Sequence, residues 1–85
     1  MNIRTVGNQF IDIDLIAMGF LAVVAEYDEC YIDALQLGLI PDPIKRNMDS
    51  VLSLIAHERG ESEEWVRAVS VEVSEALCRK ARTMP

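Results

Sequence analysis

Residues 41–66 read PDPIKRNMDSVLSLIAHERGESEEWV, and the helix signals within them decide the fold. Pro41-Asp42-Pro43 opens the stretch with a carboxylate at the N-cap and a proline at the first helical position, where its missing N–H costs no hydrogen bond. Ile44, Met48, Val51, Leu52 and Ile55 then recur at a spacing that places them on one helical face. Gly60 stops the run, because glycine enters the left-handed conformation beyond a helix end at little cost. Two residues later Ser62 offers a second N-cap, with Glu63 and Glu64 in the first turn, where the helix dipole favours acids. The stretch predicts a helix over 43–59, a tight turn, and a new helix from 62.

Toward the C-terminus, Val66, Val69, Val73, Ala76 and Leu77 form an inward stripe. Arg79, Lys80 and Arg82 fall where the dipole favours bases, so the last helix is predicted over 62–82. Val69, Val71 and Val73 also alternate with Ser70, Glu72 and Ser74, which is strand periodicity, but the cap and the charge gradient decide for helix. Toward the N-terminus, a long helix over 13–37 is expected, starting near Asp12 or Asp14 and ending with Gly38 past its last turn and Leu39 as hydrophobic partner. Its first half, residues 15–25 (LIAMGFLAVVA), is apolar almost all round. At 1.5 Å per residue such a helix reaches about 36 Å against about 25 Å for the next one, so either Gly19 breaks it or its end overhangs. Ahead of it, Gly7-Asn8 would turn a short hairpin between 3–6 and 9–13, or the segment is an extended arm. The expected class is all-α: a small three-helix bundle in one domain over 1–85.

Charge narrows the function. The net charge of −6 disfavours a general nucleic-acid binder, whose affinity comes from cationic side chains on phosphates, and equally an anionic membrane surface. Between Arg4 and Lys45 there is no base, while Asp12, Asp14, Glu26, Asp28, Glu29, Asp33 and Asp42 all fall in that interval. A field of one sign steers basic partners. Apolar residues make up 51% of a chain with little interior, which points to a subunit interface or partner site for the surplus. The run 15–25 is too short to span a bilayer, and the acids before it are unlike a signal peptide's basic leader. Cys30 and Cys78 are too few for a disulfide scaffold and are expected as buried free thiols in a cytoplasmic protein.

No catalytic pattern stands out. His57 is the single histidine, on the polar side of its helix beside Glu58, and no phosphate loop or nucleophile turn occurs. Glu26, Glu29, Cys30 and Asp33 share a helical neighbourhood but lack the histidine partners a metal site would use. No enzyme activity, cofactor or metal is expected. Met48-Asp49-Ser50-Val51 resembles the Asp-Ser-Leu motif of acyl carrier proteins, in which the serine carries phosphopantetheine at the start of a helix; here Ser50 falls well inside one. Ile55, Ala56, Gly60, Ser62, Val66 and Val69 resemble the small and apolar positions of a helix-turn-helix spanning 51–70. That resemblance implies a transcription regulator using Arg67, Arg79, Lys80 and Arg82, yet Arg59 and Glu61 stand where apolar residues belong, and Glu63 and Glu64 would meet phosphates.

The segment Glu26-Tyr27-Asp28-Glu29-Cys30-Tyr31-Ile32-Asp33 is the candidate partner site. Tyrosines give rigid contact area at low entropic cost, and the carboxylates of Glu26, Asp28, Glu29 and Asp33 would orient a basic target. Ile16, Phe20, Leu21 and Val24 are the expected contacts of a homodimer. The expected function is stoichiometric binding to a basic protein surface, as in inhibitors, immunity proteins, antitoxins, phage-encoded antagonists or secretion chaperones. The alternative is a DNA-binding regulator.

Overall fold

The computed structural model describes residues 3–6 and 9–84, with side chains from Asp12 onward. Two strands, β1 (Ile3–Val6) and β2 (Gln9–Asp12), pair antiparallel with Ile3 opposite Asp12 and Val6 opposite Gln9. Of the two alternatives for this segment, the hairpin and not the extended arm is therefore present, while the expected turn at Gly7-Asn8 lies outside the described residues. Four helices follow: α1 (Ile13–Tyr27), α2 (Glu29–Gln36), α3 (Asp42–Arg59) and α4 (Glu63–Arg82). The helical class holds, but the three-helix count does not.

The extra helix comes from Asp28. Its amide donates to the Val24 carbonyl at 3.2 Å and closes α1, while its backbone is extended (φ −165°, ψ 125°). Its carboxylate then accepts the Cys30 amide at 2.9 Å and caps α2. The expected 13–37 helix thus breaks in its second half, neither at Gly19 nor by overhanging. The bend folds α2 back onto α4, where the Gln36 side-chain amide donates to the Ala81 carbonyl at 2.9 Å and Arg82 Nε donates to the Gln36 carbonyl at 3.3 Å. Leu35 enters the core from this short helix.

The other caps follow the sequence with one exception. Asp12 accepts the Leu15 amide at 3.1 Å, and Ser62 accepts the Trp65 amide at 3.3 Å. Gly38 (φ +83°) and Gly60 (φ +70°) both take the left-handed conformation. At each, the next residue's amide reaches back to a carbonyl of the last turn, Leu39 to Ala34 and Glu61 to Ala56. Leu39 itself is exposed, so the expected hydrophobic clasp is not made. The exception is α3, where Pro41 occupies the cap and Asp42 is the first helical residue, making no side-chain cap bond. Its carboxylate acts there only through the dipole.

Helix α4 is the centre of the fold, packed by α1, α2 and α3, while α1 and α3 flank it with little contact to each other. Ile13, Ala17, Phe20 and Val24 face inward from α1; Ile44, Met48, Leu52 and Ala56 face inward from α3. From α4 come Trp65, Val69, Val73, Ala76, Leu77 and Ala81. Trp65, absent from the expected stripe, takes the buried place assigned to Val66, which is half-buried. Val71 is exposed while Val69 and Val73 are buried, as a helix requires; a strand would have buried all three on one face.

Candidate functional site

The acidic segment forms an elbow at the α1–α2 junction. Glu26, Tyr27, Asp28, Glu29 and Asp33 are all exposed there, Tyr27 most clearly with 78% of its surface free. Tyr31 departs from this group: it is half-buried and packs against the core. The two tyrosines, i and i+4 in sequence, part because the helix ends between them. For the same reason Glu26, Glu29 and Asp33 do not line one ridge; Glu26 belongs to α1, and the other two lie one turn apart on α2.

Several of the seven acids between Asp12 and Asp42 have local structural work. Asp12 and Asp28 cap helices, and Asp42 opens α3. Asp14 lies 3.8 Å from both Arg79 and Lys80, pairing α1 with the basic end of α4. Glu26, Glu29 and Asp33 show no such role. Glu29 and Asp33, with Ala25, Ile32, Gln36 and Met84, line an open depression of about 580 Å³. It sets carboxylates beside apolar surface, a lining suited to a long cationic side chain with its aliphatic stem.

The expected dimer contacts lie differently from what the sequence suggested. Val24 is 1% exposed and Phe20 is 9% exposed, so both belong to the core of the single chain, with Ile16 and Leu21 half-buried against it. The large aliphatic side chains that α1 leaves exposed are Leu15, Met18 and Val23. Inward and outward positions could not be told apart where the sequence is apolar all round.

The remaining candidates separate as well. Cys78 is buried, but Cys30 is exposed, against the expectation of two buried thiols. The Asp28 carboxylate beside Cys30, by hydrogen bond and by charge, raises that thiol's pKa; burial raises that of Cys78, opposed by Arg82. Ser50 is exposed within α3, and Asp49 accepts a hydrogen bond from the nearly buried Ser70 hydroxyl at 3.1 Å, joining α3 to α4. The Asp-Ser pair is thus divided between helix packing and solvent, away from any helix start. Arg79 and Lys80 pair with Asp14, Arg82 binds the end of α2, and Arg67 stands exposed in the first half of α4. His57 is exposed on α3. Among the described residues no cluster of potential metal ligands occurs, and no helix is long and apolar enough to cross a membrane. Comparison with family models, with curated proteins and with solved structures finds no match.

Proposed function

We propose that this protein acts by stoichiometric binding to a basic surface of another protein, as a homodimer, in the manner of inhibitors, immunity proteins, antitoxins, phage-encoded antagonists and secretion chaperones. The observation that carries the reading is the α1–α2 elbow. There Tyr27 stands free amid Glu26, Asp28, Glu29 and Asp33, and neither helix carries a base. An aromatic anchor ringed by charge of one sign gives both contact area and steering. The depression beside Glu29 and Asp33 takes a lysine or arginine of the partner, its stem against Ile32 and Met84.

A second reading, a DNA-binding regulator, rests on one feature: α3 and α4 are joined by the three residues 60–62, the short corner of a helix-turn-helix. Against it stand the burial of α4 under three other helices and the acids Glu63 and Glu64 at its outer end.

Affinity capture from source lysate, with and without nuclease, supplies the partner for titration. Tyr27→Ala is expected to cost on the order of 2 kcal/mol in affinity if Tyr27 is a hot spot. Reversing Glu29 and Asp33 together to lysine should weaken binding further and slow association. Unchanged affinity in both variants would remove the elbow from the interface, and capture lost on nuclease treatment would favour the DNA reading.

A further inference from the structure

One face of the molecule is built unlike the rest. Along α1 the exposed positions Leu15, Met18, Gly19, Ala22 and Val23 follow helical spacing and form an outward stripe opposite the buried Ile13, Ala17, Phe20 and Val24. Residues 15–25 hold no charged side chain, although the chain carries −6. Beside the stripe, α1 and α3 stand apart and leave an apolar groove of about 290 Å³, walled by Leu15, Phe20 and Val23 on one side and Val51 and Ile55 on the other. It continues past Leu54, itself 68% exposed. Gly19 sits at the groove, and a Cβ added there would meet nothing within 4 Å, so another backbone can approach closely.

We propose that this face is where a second copy of the chain docks, by antiparallel pairing of α1 with α1 across a twofold axis between Gly19 and Ala22. The inference rests on the homodimer reading and supplies its interface. Two strongly acidic chains repel least across a surface free of carboxylates, and residues 15–25 of α1 provide one. A basic partner drawn by the field of the protein gains nothing from that stripe. The pattern is also self-complementary. When Gly19 of one copy opposes Ala22 of the other, small meets small at the point of closest approach, and Met18 meets Val23 twice over by symmetry. In this register Glu26 arrives near Leu15, beside a depression lined by Arg59 but also by Asp12 and Glu58. Charge therefore adds little, and apolar burial carries the association.

The extent of the face fits a modest dimer. Leu15, Met18, Val23 and Leu54 with their half-buried neighbours present an apolar patch on the order of 500 Å², the size of the largest patch on a typical monomer, which is often functional. Two such faces bury about 1,000 Å², near the lower limit for a specific interface.

Sedimentation of the wild type from low to high micromolar concentration is expected to show a reversible monomer–dimer equilibrium. Gly19→Leu puts a helix-favouring residue at an open position, so the fold should persist by circular dichroism while the bulk at the crossing weakens dimerisation about tenfold or more. Met18→Glu, at an exposed site, should do the same without touching Gly19. A wild type that remains monomeric at high micromolar concentration would overturn the homodimer and this interface together. A wild-type dimer that survives both substitutions, each shown to be folded, would overturn the α1 face alone.

Discussion

The carboxylate of Asp28 holds the first turn of α2 while its amide closes the last turn of α1, so a change at this position reaches two helices. Asp28→Ala is expected to lower stability by about 1 kcal/mol, the usual effect of losing an N-cap, as read from the urea midpoint. The same carboxylate raises the pKa of the Cys30 thiol, so Asp28→Asn should speed alkylation of Cys30 at neutral pH even though its exposure does not change. Cys78 is protected by burial, and a thiol reagent should reach it only after unfolding. Its raised folded pKa also fixes a sign. As pH climbs past the ordinary thiol range, the unfolded chain loses the proton first, so the contribution to stability is complete below that range and falls away above it. Alkaline denaturation should thus begin earlier in the wild type than in Cys78→Ala, once the two are compared at equal neutral stability.

Two glycines delimit helices and a third lies within one, and the three differ in what substitution by alanine should do. Gly38 and Gly60 hold positive φ, so alanine at either should cost about 1 kcal/mol in backbone strain. Gly38 should suffer more, because its new Cβ would stand 3.3 Å from Arg82 Nη2. Gly19, exposed in mid-helix with open space around it, should instead gain about 0.5–1 kcal/mol. Thermal melts of the three variants check the order. These positions also show how much of the fold was legible. Gly38, Gly60, Asp12 and Ser62 are local signals, and each ended or began a helix where the sequence placed it. Asp28 was missed because an aspartate followed by Glu29 looks the same on the polar face of a long helix as at a cap. What decides between them is Leu35 and Gln36 reaching α4 from a helix turned back on itself, a contact between residues far apart in sequence. The α3 cap likewise falls at Pro41, one residue before the expected Asp42, a shift no stripe of apolar side chains could register.

At the scale of the whole molecule, two kinds of association should respond to salt in opposite directions. The proposed binding of a basic protein at the elbow would draw on attraction across solvent, which is screened within about 8 Å at physiological ionic strength, so it should weaken and slow as salt rises. The proposed self-association through α1 would work against repulsion between two chains of charge −6, so it should tighten with salt, and again as pH falls toward the sequence isoelectric point near 4.6. Sedimentation and partner titration across one salt series would show the opposed slopes. The charge asymmetry behind both effects was plain in the sequence, and so were the exposed acids of the elbow. Which tyrosine faces outward was not, since Tyr27 and Tyr31 are alike until the break at Asp28 separates them. Nor was the outward stripe of α1, which an unbroken apolar run conceals. The buried place of Trp65 at the start of α4 has one more consequence, an optical one. As the single tryptophan in the chain, 3% exposed, it is the sole indole reporting on the core. Its Nε1–H is the one buried side-chain polar atom without a partner among the described residues. An indole in apolar surroundings, with no acceptor to stabilise its excited state, emits far to the blue. The native protein should therefore fluoresce at short wavelength and shift red in a single step when α4 loses its neighbours, so that folding can be followed without any added label.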